Sequence, residues 1–397
     1  MFCRFCGRQL PDDSRFCSGC GKPLDATSQA SGGNADVDLS ALESFFTGAV
    51  KKKEAEKDFT VIGGVLLEYK GAGGRVTVPD GVTAINEKVF CDKKEITSVI
   101  LPEGLTSIGR YAFCGCDKLS EVKFPSSLTS IGVRAFSGCS ALTEIKLPAG
   151  LKSLDPAAFM ACGIKSVAIP GGVEVIKGND ANFDPGPFSD CKDLTTVVVS
   201  PGVKRLGESA FRDCYALTTV VLPHGLTEIG KWAFSGCVKL TGLTIPSTVT
   251  EIGYEAFDAC DSLGSINIPG SVKRIGEYAF KRCGLCDRDP GLHTVIIEEG
   301  VQEIGKCAFE YCKRLSYVKL PDSLQVIGDL AFWNCESLVS LKIPRGVKNE
   351  WGKMGCQIVA GCTSLRSVEL PGQFRDDSWL LLGDDQGFDK KLSIFYY

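Results

Sequence analysis

The 397-residue sequence predicts a mainly β solenoid with short helical turns, joined to a small metal-binding module. Three observations carry this expectation. Phenylalanine recurs in steps of 23 at Phe90, Phe113, Phe136 and Phe159, then from Phe188 through Phe211, Phe234 and Phe257 to Phe280, then at Phe309 and Phe332; Val359 fills the slot in a last, weak copy. Proline ends an apolar segment once per period, as at Pro79, Pro102, Pro125 and Pro148, with Ser200 and Glu298 substituting twice. Two C-x-x-C-G turns open the chain.

One unit, Leu119–Cys139, shows what each period builds. Leu119-x-x-Val122-x-Phe124 alternates apolar and polar residues and stops at Pro125, which cannot donate to a ladder, so it reads as a short strand. A turn leads to a second apolar pair, Leu128 and Ile131, and to Gly132, which accepts backbone geometries closed to other residues. Ala135-Phe136 then places a small and a large side chain on one short helical turn. A single unit cannot bury its Leu, Val, Ile and Phe, whereas stacked units can. A period in the 20–29 range with leucine at fixed offsets predicts a leucine-rich-repeat solenoid, here of about 13 rungs spaced at roughly 4.8 Å.

The repeated pattern P-x-G-[LV]-x-x-I-G-x-x-A-F-x-x-C resembles the BspA-like (treponemal-type) leucine-rich repeats of bacterial and some protist proteins. The segment from Phe59 to Pro79 looks like the cap that precedes such repeats. The resemblance covers about residues 59–372. It implies a binding solenoid, often on cell surfaces, and no chemistry.

Composition fits that expectation. The chain is 44% hydrophobic with a formal charge of −4, so no global attraction draws it to nucleic acid or acidic membranes. No apolar run approaches a membrane span, and Met1–Cys6 opens no signal-peptide core. Of 20 cysteines, 11 sit three residues after the Phe slot, from Cys116 to Cys362. Cys91, Cys114, Cys286, Cys307 and Cys356 lie off that register. In-register neighbours keep Cβ atoms about 4.8 Å apart, beyond ordinary disulfide reach, so the ladder is expected to be reduced and buried. That favours a cytoplasmic, reducing location, with the cell surface implied only by the resemblance.

In chain order, residues 1–24 form a zinc ribbon in which Cys3, Cys6, Cys17 and Cys20 hold one structural zinc. Glycine after each pair allows the bend that aims N–H groups at thiolate sulfur. Two disulfides or a redox C-x-x-C would not need two matched knuckles. Arg4, Arg8, Arg15 and Lys22 stand against Asp12, Asp13 and the −2 of a four-thiolate zinc centre, so nucleic-acid binding is disfavoured. Residues 25–58 are a flexible linker carrying an amphipathic helix at 41–53, with Leu42, Phe45, Phe46, Ala49 and Val50 on one face. That helix docks on the solenoid or frays, self-associates, or lies on a membrane surface; the residues leave these open.

Residues 59–95 are the N-terminal cap and first rung, 96–371 the repeats, and 372–397 a C-terminal cap. Insertions at 178–187, 284–291 and 349–357 break the period and map to loops. Asn179, Asp180, Asn182 and Asp184 lack the closing glutamate of a calcium loop. His224 and His293 occupy separate rungs, and no nucleophile–base pair or phosphate loop occurs, so no catalytic residue is assigned.

The outward strand positions give the functional expectation. Glu121/Lys123 and Glu144/Lys146 are charged, six rungs from Ser166/Ala168 to Thr294/Ile296 are not, and Lys319 and Lys342 restore charge. The strip Thr196, Val198, Thr219, Val221, Thr294 and Ile296 is expected to face outward on one sheet and contact an unnamed protein partner. Ordinary β-propensity of Thr and Val is the competing explanation. The expected function is a non-enzymatic protein-binding scaffold. A zinc-ribbon regulator touching nucleic acid or transcription machinery, and an adhesin exported without an ordinary signal, are the alternatives.

Overall fold

The computed structural model describes residues 57–178, 185–285, 290–348, 355–376 and 392–397. The ribbon, the helix at 41–53, the cores of all three insertions and Trp379–Leu382 lie outside the described residues.

Each rung has three sides. The first is the alternating segment, which forms parallel strands such as Ser166–Ile169, Thr196–Val199 and Thr219–Val221. Val197 and Val199 point into the core while Val198 points out. The second side is a ladder of two-residue strands, including Ser107–Ile108, Ser130–Ile131 and Ser153–Leu154, also parallel and in register. Sequence reasoning placed Leu128 and Ile131 inside the rung without seeing this ladder, because two residues are too few to display alternation.

The third side carries the Ala-Phe pair, and here the expected short helical turn is a chain of reverse turns. In one rung Ala112 N–H bonds Gly109 O at 3.3 Å, Cys114 N–H bonds Tyr111 O at 3.1 Å and Cys116 N–H bonds Phe113 O at 3.3 Å. The alternate amides reach the next rung: Tyr111 to Val133 O, Phe113 to Ala135 O and Gly115 to Ser137 O, at 2.9, 2.7 and 2.8 Å. This third ladder puts left-handed backbone two residues before and two after each stacked Phe, except before Phe188, where Gly186 is not left-handed. Tyr111, Arg134 and Trp232 adopt φ of 56°, 54° and 53°. Each such non-glycine residue costs roughly 1–2 kcal/mol, and the inter-rung hydrogen bonds offset it.

The core is continuous. Phe90 to Phe332 form a single stack, with centroid spacings between 4.6 and 5.8 Å and interplanar angles no larger than 14°. All are fully buried. All eleven ladder cysteines are buried and free, and each thiol points at the carbonyl of the Phe in the preceding rung. Examples are Cys116 to Phe90 O at 3.0 Å, Cys214 to Phe188 O at 3.2 Å and Cys362 to Phe332 O at 3.2 Å. The slot therefore asks for a small apolar side chain that also donates, which alanine and valine cannot do.

Both ends are covered. Phe59–Ile62 and Val65–Tyr69 form an antiparallel hairpin that starts the second ladder, with Tyr69 packed on Phe90 at 5.1 Å. At the other end Ser393–Tyr396 pairs parallel with Ser367–Leu370, Phe374 is buried, and the Tyr397 hydroxyl bonds Ile343 O at 2.6 Å.

Candidate interaction face

The outward residues of the first side fall into two columns, fixed by strand register. One runs Ser98, Glu121, then Ser166, Thr196, Thr219, then Ser265, Thr294, Tyr317. The other runs Ile100, Lys123, then Ala168, Val198, Val221, then Asn267, Ile296, Lys319, and closes with Lys342, Glu369 and Phe395. Val198, Val221 and Ile296 are 39%, 50% and 37% exposed; Thr219 is exposed, and Thr196 and Thr294 are half-buried.

The six strip residues do not share one sheet. Thr196, Val198, Thr219 and Val221 belong to a three-stranded sheet that ends at Thr219–Val221, and Thr294 and Ile296 to a second one, Ser265–Ile268 to Tyr317–Lys319. The rung between them, 242–245, makes no ladder. Gly242 there has no side chain to pack and weakens strand pairing. Sequence reasoning read the alternation correctly and took continuity for granted.

A similar break opens at Glu144, which makes only an isolated bridge to Ser166. Next to it Phe124 occupies the inward slot that Leu101 and Leu147 fill in neighbouring rungs, and its ring stands edge-on to Phe136 (5.5 Å) and Phe159 (6.3 Å). A groove of about 920 Å³ results, lined by Glu103, Glu121, Lys123, Phe124, Glu144 and Lys146 among others.

Two exposed residues of the same column, Ile100 and Phe395, were missed from sequence. The alternation Val99-x-Leu101 carried the first; the second becomes visible only once Ser393–Tyr396 is seen to add a strand.

Elsewhere several charges are paired. On the second ladder Arg205 meets Glu228 at 2.6 Å and Arg274 meets Glu303 at 3.1 Å. On the turn side Arg282 clamps the buried Asp258 through two hydrogen bonds, and Trp232 donates to Glu255 at 2.8 Å. Burial raises the Asp258 carboxyl above its usual range, and Arg282 offsets part of that. His293 bonds only its neighbour Thr294 in the described side-chain contacts. Among the described residues no three His, Cys, Asp or Glu side chains could hold a metal, and no helix is long and apolar enough to cross a membrane. The four ribbon cysteines lie outside these residues.

Three stacked ladders around a phenylalanine spine, with a cysteine donor in each corner, define a leucine-rich-repeat solenoid. The chain belongs to the family described as BspA type leucine rich repeat region, whose model matches residues 69–184, 181–288 and 286–377. A zinc-ribbon domain model matches residues 2–24. Among solved structures, a leucine-rich repeat protein from Bacteroides ovatus is 28% identical with a TM-score of 0.54, over 85% of this chain and 97% of that one. A leucine rich cell surface protein from Faecalibacterium prausnitzii is 25% identical with a TM-score of 0.46, over 85% and 92%. The leucine rich repeat protein of T. pallidum is 29% identical with a TM-score of 0.42, over 46% and 88%. No curated protein matches.

Proposed function

We propose that the solenoid is a non-enzymatic binding scaffold whose strand face, at Thr196, Val198, Thr219, Val221, Thr294 and Ile296, contacts a protein partner. The observation that carries this reading is the set of exposed large apolar side chains in one column: Ile100, Val198, Val221, Ile296 and Phe395. An apolar centre is desolvated at little cost on binding, while flanking charge governs orientation and rate.

The ribbon is read as a structural module. Four thiolates at Cys3, Cys6, Cys17 and Cys20, each pair followed by glycine, fit one zinc with no open coordination position. The metal supplies folding energy to that module. Eleven buried thiols, each in a hydrogen bond to a carbonyl, suit a reducing compartment.

The test is Val198→Lys combined with Val221→Lys. Partners captured by the full-length chain from native cells are identified, purified and titrated against both proteins. Burying two valines is worth about 3 kcal/mol or more, so affinity should fall at least about 100-fold with folding unchanged. Wild-type affinity in the double variant would place the binding face elsewhere.

A further inference from the structure

We infer that the partner fitting this face is a second copy of the chain, packed strand face to strand face about a two-fold axis running along the solenoid. The inference rests on the strand-face reading above and adds the identity of the occupant. It comes from how charge is distributed between the two columns. Glu121 and Glu144 stand on one side of the face, and Lys123 and Lys146 on the other, all four exposed. None forms an ion pair with another described residue.

A two-fold axis parallel to the solenoid exchanges the columns while keeping each rung opposite itself. Glu121 then faces Lys123 of the second copy, and Glu144 faces its Lys146, each pair occurring twice by symmetry. The remaining rungs are compatible. Thr196 meets Val198, Thr219 meets Val221 and Thr294 meets Ile296, so the apolar column of one copy covers the hydroxyl column of the other. Tyr317, 52% exposed, meets Lys319, an aromatic face against an ammonium group. Arg75 meets Thr77 and Ser367 meets Glu369. No rung sets like charges against each other. A two-fold axis perpendicular to the solenoid reverses the rung order and keeps each column on its own side, so it never sets Glu121 or Glu144 against Lys123 or Lys146 of the second copy. The parallel axis alone sets all four of these charges against opposite ones.

Size sets the strength. Nine rungs from Glu121 to Lys319 at about 4.8 Å, and four strand residues at about 3.3 Å, give a face of roughly 40 by 13 Å. That is on the order of 500–800 Å² per copy, the lower edge of stable interfaces. The dimer should accordingly be reversible in the micromolar range, and weaken as salt screens the Glu–Lys contacts.

Sedimentation velocity on the full-length chain tests this, using two charge variants: Glu121→Lys with Glu144→Lys, and Lys123→Glu with Lys146→Glu. Wild type should dimerise with concentration, and less in high salt. Each variant alone should lose at least about 100-fold in dimer affinity, because both columns then carry one sign. An equimolar mixture should recover a heterodimer, since an all-lysine face meets an all-glutamate one. Circular dichroism identical to wild type excludes misfolding, and recovery in the mixture does so independently. A wild type that stays monomeric at every concentration, or variants that dimerise like wild type, would overturn the inference. So would dimerisation retained by the Val198→Lys, Val221→Lys variant. A monomeric wild type whose heterologous partner is still lost in that double variant defeats self-association alone and leaves the strand face as the binding site.

Discussion

Raising the pH should unfold the repeats before lysine or tyrosine titrate, because eight of the ladder thiols resist ionising in place. Burial pushes the thiols of Cys116, Cys162, Cys191, Cys214, Cys237, Cys260, Cys283 and Cys335 above the ordinary range, Cys191 to about 12. Each also loses its S–H···O=C bond on ionising. In the unfolded chain the same thiols titrate near pH 8.5. Above that pH the unfolded state binds fewer protons than the folded one, so stability falls as pH rises and continues to fall towards the folded pKa. Below it the ladder contributes no pH dependence. Every unit of pH costs about 1.4 kcal/mol per thiol, or about 11 kcal/mol for eight. A domain has only about 5–15 kcal/mol in total, so the solenoid should be lost between about pH 9 and 10. Stacked repeats open in parts, and the terminal rungs should go first. Urea midpoints at half-unit pH steps, followed by circular dichroism, measure the slope. A variant with Cys214, Cys237 and Cys260 changed to Ala is less stable at neutral pH, yet its slope should drop to about 7 kcal/mol per unit. A midpoint flat from pH 8 to 9.5, or a slope untouched by the triple change, would refute the reasoning.

Phe234→Ala removes a ring stacked on Phe211 at 5.6 Å and on Phe257 at 5.4 Å, and should destabilise the repeats by about 3–5 kcal/mol. Phe332 stacks on Phe309 alone before the slot passes to Val359, so Phe332→Ala should cost less by about 0.5–1.5 kcal/mol; hydrogen exchange across each site separates the two. Metal analysis of the purified chain should find one zinc, absent after Cys6→Ser with Cys17→Ser, and a chelator should leave the melting temperature of the repeats unchanged.

Much of the solenoid was legible because its grammar is local. A Phe every 23 residues, a Pro after each strand and a Cys three past the Phe are constraints that a single rung imposes on itself, and repetition makes them visible. What stayed hidden depends on neighbours. The Ser130–Ile131 ladder exists only through pairing with Ser107–Ile108 and Ser153–Leu154. The cysteine was read as a small apolar filler; its hydrogen bond to a carbonyl 26 or more residues earlier has no signature within one period. The sheet breaks at 144 and 242 coincide with one larger ring and one missing side chain, Phe124 and Gly242, and such effects on a neighbouring rung have no signature within one period. Outward positions followed from alternation alone, so Val198, Val221 and Ile296 were identified, but their division between two sheets was not.

The three sides of the rung differ in how much freedom they leave to selection. On the turn side the backbone alternates into left-handed geometry, Phe, Ala and Cys are buried, and every second amide is committed to the next rung, so most substitutions there are felt through the stack. On the second ladder Ile85, Ile108 and Ile131 are buried beside a row of serines and charges that pair across rungs. The first side alone exposes two full columns whose side chains touch neither the spine nor the corner. A change there alters what meets the surface without altering the rung. On the second ladder opposite signs meet on some neighbouring rungs, as Arg205 does with Glu228 and Arg274 with Glu303, while Glu228 also lies beside Glu251. Glu121, Lys123, Glu144 and Lys146 carry like signs along each column and opposite signs across it, and none has an ionic partner among the described residues. Like signs along a column repel slightly in the isolated solenoid, and a face of opposite pattern laid against them would relieve that repulsion.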